Sequence, residues 1–523
     1  MSGAAAQAGP VPELSAAPGG EGSAGSEAHD ATRYLCSAAH LNPEFTRRAV
    51  REVMVAEHRL PAPPFGFDLP TVLRHCVAAR ARGTYRDTAI VAVLVVALLI
   101  APWTAAAWLA WLAGLRVLVL AGSRRAGGPG QNRGVAARAA ARYLAALWVA
   151  AGILLLVLVF TRLDPYDIRA VWRMPQLVSA GVGEWIGIPL AAAALCWLAV
   201  LGEQIASYVT VAERLRHDGF TPSRWLSAEP AWTQHALSVL GERLADGRLA
   251  RRPVADPANP FLGAGPQVLR RRWLVELGPA TTASAPFDTA DLLDRVCERL
   301  AAGFGPLDPS GPSGPVSVSV DEYTVSTAPA LAAVLGEQTH TSHASVRLLP
   351  DAPGSGWAGG GPRTFRRVRV GSDASGLNVT AFLNASAGAG LLQVELYGHV
   401  LGAIASRYRV ADRTPPFGGA AALRCATRAF RMTPAAVFSA PASAARVAAD
   451  PILRRHNRAM LAHAAAAGTA VNAGARFDLR EAAAEQPGVD QLADEDANLY
   501  LAVIERRVRE ELRPLLPAGS TEF

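Results

Sequence analysis

Three neighbouring stretches, TFRRVRVG (364–371), LNVTAFLNAS (377–386) and LLQVELYGHVLGAI (391–404), decide the fold class of this chain. Each is rich in β-branched and aromatic residues, and short turns that contain glycine separate them. Runs of adjacent strands with few helices between them are typical of an α+β domain with a mostly antiparallel sheet. We therefore predict such a domain over residues 261–412.

Two further strands and one helix are predicted upstream of these stretches. The strands are VLRRRWLVEL (268–277) and VSVSVDEYTVS (316–326). The helix lies in DTADLLDRVCERLAAGFG (288–305), with Asp288 or Thr289 as its cap. The helical spacing places one apolar side on Leu292, Leu293, Val296, Cys297 and Leu300.

The stretch NPFLGAGPQVLRRRW (259–273) contains two glycines that invite comparison with a phosphate-binding loop. A dinucleotide fingerprint needs a third glycine between a strand and a helix. Here Val268 occupies that position, and the order is loop then strand. Gly263 and Gly265 therefore predict a tight turn at the entrance of the domain. A nest of backbone amides that holds an anion beside Arg270–Arg272 is the alternative.

Composition excludes several classes of enzyme. The chain has 523 residues, a net charge of +7 and a sequence in which all 51 basic residues are arginine. Without lysine there is no Walker A phosphate loop, no Schiff base and no protein kinase of the usual type. The length predicts about two to four domains. Half of the residues are apolar, with a mean hydropathy of +0.18, and they are clustered.

The clusters are three long apolar blocks, 88–115, 143–160 and 185–202. As helices, the last two would each be about 27 Å long, close to the thickness of a bilayer core, so each fits one crossing. The first block holds Pro102, which disfavours helix in the residue before it. We predict a helical hairpin over 88–122 and transmembrane helices over 143–162 and 184–206. One long tilted helix is the alternative to the hairpin.

Arginine distribution supports the hairpin, because cytoplasmic loops carry the arginine excess. Arg74, Arg80, Arg82 and Arg86 precede the first block. The loop after it contains Arg116, Arg124, Arg125, Arg133, Arg138 and Arg142 without any acid. Both flanks thus look cytoplasmic, and the interpretation is a multi-pass protein of the cell membrane with cytoplasmic N- and C-termini. Those six arginines are also candidates to contact anionic lipid headgroups.

Outside the membrane region, 1–30 is predicted to be a disordered tail, because it is rich in Ala, Gly, Ser and Pro and has no arginine. We further predict a small helical cytoplasmic unit over residues 31–87 and the membrane region over 88–212. A connector is predicted over 213–260 and a helical C-terminal region over 413–523.

The C-terminal region contains the amphipathic stretch NLYLAVIERRVREELRPLL (498–516). One stripe carries Tyr500, Ile504, Val508 and Leu512. Glu505 with Arg509, Arg506 with Glu510 and Arg507 with Glu511 are spaced for ion pairs. The stretch predicts a solvent-facing amphipathic helix, or alternatively a helix that binds a partner.

No residue is assigned a catalytic, cofactor-binding or metal-binding role, and no cofactor is expected. The five cysteines form no CxxC, so a disulfide framework or a zinc site is disfavoured. Glu337, His340 and His343 have the spacing of metal ligands on a helix, but the intervening Thr and Ser favour strand or loop. The arginines cluster beside the membrane and are not interleaved with aromatics, so no nucleic acid is expected.

The stretches NPFLGAG (259–265), YRVADRTPP (408–416) and LYLAVIERRVREEL (499–512) together resemble a group of uncharacterised actinobacterial multi-helix membrane proteins. Members of that group share a PF-x-G-x-G stretch and a C-terminal IERR helix. The resemblance implies architecture and localisation only, since the group has no assigned activity.

Two functions remain compatible with the sequence. The first is a non-enzymatic, membrane-anchored binding or scaffold protein, whose cytoplasmic α+β domain binds an unknown protein partner. The second is a membrane-bound enzyme with dispersed catalytic residues. An apolar groove or an open sheet edge in the folded domain favours the first, and a dense polar cluster in a pocket favours the second.

Overall fold

The computed structural model describes residues 23–114, 182–220, 231–245, 256–276, 288–303, 316–325, 363–467 and 474–515, with single positions and gaps of two or three residues left out of these ranges. The helices are α1 (Ser23–Leu41), α2 (Pro43–Ala49), α3 (Leu69–Ile100), α4 (Val182–Val209), α5 (Ala231–Ala245), α6 (Thr289–Gly303), α7 (Gly419–Ala467), α8 (Leu479–Ala483) and α9 (Gln491–Leu512). The strands are β1 (Gln267–Glu276), β2 (Val316–Val325), β3 (Arg363–Ser372), β4 (Leu377–Gly388) and β5 (Leu391–Leu401). Short π-helical turns follow α2 and α4.

The chain divides into two compact units. The sheet unit comprises Met1–Ala78, Leu215–Thr414 and Ile452–Phe523, and the apolar-helix unit comprises Ala79–Arg214 and Pro415–Pro451.

The described residues form a sheet of five strands in the order β1-β5-β4-β3-β2, and every neighbouring pair is antiparallel. The predicted α+β class with a mostly antiparallel sheet is confirmed. Gly376 and Gly390 adopt positive φ angles of 63° and 77° in the turns before β4 and β5. Such angles strain residues that have a Cβ atom, which explains why glycine stands at these two turns.

One face of the sheet packs against α6 and α9, and this packing forms the main core of the sheet unit. The stripe predicted on the C-terminal helix is buried there, as are the apolar residues predicted on α6. The helix is amphipathic as predicted, but its apolar side faces its own sheet instead of a partner. Helix α9 lies beyond the predicted boundary at residue 412 and covers the apolar face of the sheet.

The exposed side of α9 carries ion pairs, with one partner exchanged. Arg506 pairs with Glu510 at 2.9 Å, and Glu505 pairs with Arg509. Arg507 contacts Glu510 at 2.9 Å instead of the predicted Glu511. Glu511 is buried against α6, where it pairs with Arg299 at 2.5 Å.

The N-terminal helices contain a buried arginine that ties distant segments together. Helix α1 begins at Ser23, inside the segment predicted to be a disordered tail. The guanidinium of Arg33 is 1% exposed and donates to Asp30 at 2.7 Å, to the carbonyl of Leu215 at 3.1 Å and to Asp412. Asp30, which composition assigns to the predicted tail, therefore has a partner in this helix.

In the apolar-helix unit, the first and third predicted apolar blocks are helical at every described position except Ala101. Block 185–202 lies within α4, and block 88–115 comprises the end of α3, a few described residues after it and helical residues 108–114. The cluster buried between these helices and α7 contains Ile90, Leu94, Leu112, Cys196, Val200, Ala429, Ala436, Val437 and Ala440. Block 143–160 and the arginine-rich loop 116–142 lie outside the described residues.

Charged groups gather beside this apolar cluster on α3 and α4. Arg86 lies between Asp87 and Glu203, with N–O distances of 2.6 Å to each carboxylate. All three side chains are mostly buried, with exposures of 15%, 2% and 14%. The ion pair between Arg86 and Glu203 joins α3 to α4. Since both carboxylates share one guanidinium, neither is left buried without a partner.

Candidate functional site

The strand register places two kinds of side chain on opposite faces of the sheet. Alternate residues of a strand point to opposite faces. On β5, Leu392, Val394 and Leu396 face the helices. The residues between them and their partners across the sheet form the other face, which we call the polar face. Its central rows contain Arg270, Arg272, Asp321, Tyr323, Phe365, Arg367, Arg369, Thr380, Phe382, Asn384, Glu395, Tyr397 and His399.

Phe261, from the stretch NPFLGAG, covers the centre of the polar face. Its ring stacks on Phe382 at 4.3 Å between centroids and lies 5.2 Å from the rings of Phe365, Tyr397 and His399. Phe261 is 5% exposed. Aromatic pairs at these distances contribute beyond their area burial, so this ring helps to hold the segment to the sheet.

Two glycines with positive φ give this segment its path. The φ angles are 95° at Gly263 and 90° at Gly265, in agreement with the tight turn that the sequence predicts here. A Cβ atom at Gly265 would lie 2.2 Å from the carbonyl oxygen of Val400. The amide of Gly263 donates to Oε2 of Glu481 at 2.9 Å. The anion at this amide is therefore a carboxylate of the chain itself, and a nest for an external anion is not supported.

Helix α8 holds the other side of this turn. The carboxylate of Asp478 accepts the amide of Glu481 at 2.6 Å and so caps the helix. Burial raises the pKa of Asp478 to about 7, against the lowering effect of that hydrogen bond. A β-bridge between Ala484, which directly follows α8, and Ile404 joins this helix to the chain after β5. The cap thus positions Glu481 for its contact with Gly263.

His399 is a buried group on this face and has one ring nitrogen without a hydrogen-bond partner among the described atoms. Its Nδ1 lies 2.9 Å from the carbonyl oxygen of Gly265. A carbonyl only accepts, so Nδ1 carries the proton and Nε2 is an acceptor. Nε2 has no partner in the described part of the chain. Burial lowers the pKa of His399, and the hydrogen bond to Gly265 partly opposes that effect.

We expect His399 to make the stability of the sheet unit depend on pH. Its pKa is lower in the folded chain than the value of about 6.5 in the unfolded chain, so the unfolded chain binds more protons. The contribution is complete above about pH 6.5 and is lost as the pH falls towards the folded pKa. His399→Asn keeps a donor near Gly265 and does not titrate. Thermal unfolding of this variant between pH 5 and 8 should show a flatter profile than the unaltered protein.

The matched control for this experiment is His463→Asn, because His463 is exposed on α7. This control should keep the original pH profile. An identical slope in the His399→Asn variant would show that other groups cause the acid sensitivity.

Ion pairs and hydrogen bonds occupy both carboxylates in the central rows of the polar face. Arg367 donates to Asp321 from Nε at 2.8 Å and from its terminal nitrogen, and its guanidinium lies 4.7 Å from the ring centre of Tyr323. Burial raises the pKa of Tyr323. Arg369 lies 3.8 Å from the same carboxylate. Burial, together with the charge of Arg367, lowers the pKa of Arg369.

Glu395 is the second carboxylate and is 6% exposed. It accepts hydrogen bonds from Gln393 at 2.7 Å and Tyr397 at 3.2 Å, and it pairs with Arg272 at 3.0 Å. Arg270 lies 5.5 Å from the ring centre of Tyr397. The central rows thus hold four arginines (Arg270, Arg272, Arg367, Arg369) against two carboxylates. These rows therefore carry a positive excess, and both of their carboxylates already have partners.

Several residues singled out from the sequence are not brought to this site. Arg116, Arg124, Arg125, Arg133, Arg138 and Arg142 lie outside the described residues, as do Glu337, His340 and His343. All five cysteines are buried thiols. Within the described ranges, no three His, Cys, Asp or Glu side chains are grouped to hold a metal ion.

Sequence reasoning missed His399, Glu395, Arg367 and the role of Phe261. The signal for the first two was the alternation in LLQVELYGHV, where polar residues occupy every second position of a strand. That alternation indicates a second, non-apolar face, but it does not indicate what covers it.

The comparisons with known proteins bear on the C-terminal half. A family model described as the AbeC-like domain matches residues 257–518, about half of the chain. The match contains the sheet, α6 to α9 and the stretches NPFLGAG and IERR on which the resemblance rests. No curated protein matches the chain, and no solved structure does.

Proposed function

Since the chain belongs to the AbeC-like domain family through residues 257–518, we propose that it is a membrane-anchored binding protein. In this proposal apolar helices hold the chain in a bilayer, and the α+β domain binds a partner protein on the cytoplasmic side. The observation that carries it is the exposure of apolar side chains along two long helices.

Leu69–Ile100 and Gly187–Arg214 are long and apolar enough to cross a membrane, and only 22% and 17% of their most apolar windows are buried. The core helix of a soluble protein is mostly buried. Here Leu99, Ile100 and Leu190 are 78%, 66% and 63% exposed. In water such a surface would be costly, whereas in lipid it is the favourable arrangement.

The proposal includes the helical hairpin over 88–122. Leu112 shares a buried cluster with Ile90 and Leu94. On one straight helix Leu94 and Leu112 would lie about 27 Å apart, so their common cluster supports a chain that turns back between them. With the helices proposed over 143–162 and 184–206, the hairpin gives a multi-pass protein with cytoplasmic N- and C-termini.

The arginines of loop 116–142 would then lie at the cytoplasmic surface of the membrane. Each arginine near an anionic bilayer contributes about 1 kcal/mol of attraction. We propose that they contact anionic headgroups and so help to fix the orientation of the neighbouring helices.

A binding role for the α+β domain is supported by the engagement of its carboxylates and of His399 in contacts within the domain. General acid–base catalysis needs a group that can reach the proton it transfers. On the polar face Asp321 and Glu395 are held by arginines, and His399 is enclosed by aromatic rings. The sheet also has an unpaired edge in the described residues, a feature typical of peptide recognition.

We expect this topology to be visible by labelling single cysteines introduced at Ser15, Gly130, Tyr166 and Ser520. The five native cysteines are buried, so an impermeant maleimide should react with the introduced thiol. Membranes washed at high pH should retain the chain, because its apolar surface is in lipid. Label should reach positions 15, 130 and 520 from the cytoplasmic side only and position 166 from the outside only.

Detergent-solubilised protein, in which all four positions should react, is the control for the reactivity of each thiol. Labelling of positions 15 and 130 from opposite sides would replace the hairpin by one long helix. Release of the chain by the alkaline wash would overturn the anchoring itself.

A further inference from the structure

The described residues leave the outer edge of β1 without a partner strand. β1 pairs with β5 on one side, from Gln267 opposite His399 to Glu276 opposite Leu391, with an irregularity at Val268. Among the residues that the structure describes, no strand pairs with its other side. An edge strand presents a row of backbone donors and acceptors that can bind an added strand.

Three consecutive arginines occupy the middle of this edge. Arg270 and Arg272 lie on the polar face and Arg271 on the helix face, because side chains alternate along a strand. Arg271 is paired with Glu505 at 2.8 Å and is 49% exposed, and Arg272 is 50% exposed. Each guanidinium has five N–H donors in a fixed fork, so its internal partner orients it and leaves donors for another carboxylate.

Exposed apolar side chains flank the arginines symmetrically. Val268 precedes Arg270 by two positions and is 50% exposed, and Leu274 follows Arg272 by two positions and is 57% exposed. An added strand would therefore meet an apolar side chain, three cations on alternating faces and a second apolar side chain. Opposite charges across neighbouring strands are favourable, and like charges directly opposite are destabilising.

We propose that the β1 edge binds an extended acidic segment of a partner protein. The matching segment has three consecutive acidic residues, with an apolar residue two positions away on each side. A second copy of β1 is a poor occupant, because antiparallel self-pairing sets arginine against arginine. The other edge strand, β2, carries Asp321 and Glu322 and no arginine, so it offers an acidic segment no cation of its own. This inference rests on the proposed binding function and names its partner class.

The test uses the full-length protein in detergent micelles and two fluorescent peptides, Ac-TVTEDETVT-amide and its neutral counterpart Ac-TVTQNQTVT-amide. We expect the acidic peptide to bind about tenfold more tightly than the neutral one, with the difference shrinking at high salt. The double variant Arg270→Gln/Arg271→Gln should lose most of that difference. The matched control Arg506→Gln/Arg507→Gln removes the same charge from the exposed side of α9 and should leave binding unchanged.

Photo-crosslinking locates the peptide. A benzophenone maleimide is attached to Leu274→Cys on β1 or to Val320→Cys on β2, both exposed positions on opposite edges of the sheet. Crosslinks from position 274 alone support the proposal. Equal binding of both peptides, equal crosslinking from both edges, or dimers crosslinked through position 274 would overturn it.

The alkaline membrane wash distinguishes failure of the β1 proposal from failure of the proposed anchored binding function. A chain that stays in washed membranes but does not distinguish the peptides loses only the β1 assignment. A chain that the wash releases loses the anchored binding function as well.

Discussion

Replacing Gly265 with alanine should unfold the sheet unit or destabilise it by about 4 kcal/mol or more. Two costs add at this position. The φ angle of 90° is strained for any residue with a Cβ atom, at roughly 1 to 2 kcal/mol. The new methyl group would also lie 2.2 Å from the carbonyl oxygen of Val400. That atom belongs to the backbone of β5, which cannot move without breaking the sheet register.

Gly488→Ala is the matched control, because Gly488 has a φ angle of 88° and a Cβ atom there would meet no heavy atom within 4 Å beyond its chain neighbours. It should show only the cost of the backbone angle. Thermal unfolding of both variants in the same detergent measures the difference. Equal melting temperatures would show that the segment around Gly265 shifts freely and that the contact with Val400 adds no cost to the alanine substitution.

The second large effect is expected for Phe261→Ala, which should lower the free energy of unfolding by about 3 to 5 kcal/mol. The ring is 5% exposed and contacts four other rings of the polar face. Its removal would leave a cavity lined by Phe365, Phe382 and Tyr397. Because the ring holds the segment to the sheet, the hydrogen bond between Gly265 and His399 should weaken with it.

Phe430→Ala removes the same atoms from a side chain that is 74% exposed on α7, so it is the control for loss of an aromatic ring as such. Surface substitutions usually change stability within about 0.5 kcal/mol. Denaturant unfolding, followed by tryptophan fluorescence, compares the two variants. A small effect at Phe261 would mean that the polar face is covered mainly by other parts of the chain.

The strands of the AbeC-like domain, together with α6 and α9, were predictable because their signals are local. β2 begins at the predicted Val316, and Asp288 caps α6 through the amides of Ala290 and Asp291. The stripe Tyr500, Ile504, Val508 and Leu512 is buried as its spacing indicated. Backbone geometry sets the side-chain period at two residues in a strand and 3.6 in a helix. A short segment of sequence is therefore enough to reveal either element.

The polar face was not predictable in the same way, because its contacts join segments that are far apart in the chain. His399 and Gly265 are separated by 134 positions, and Gly263 and Glu481 by 218. Arg507 and Glu511 had the correct helical spacing, yet Glu511 is paired with Arg299 of another helix. Side-chain rotamers and a neighbouring element decided between partners that the spacing alone allows.

By itself the sequence determined the α+β class, the positions of the strands and of α6 and α9, the apolar blocks and the absence of lysine chemistry. These follow from residue types and from short-range periodicity, which the chain carries wherever it folds. Only the tertiary structure decided that Phe261 covers the polar face, that α9 completes the core of the sheet and that β1 lies at an edge. Those features depend on which surfaces meet, and burial of apolar area together with the pairing of buried charges selects among many local possibilities.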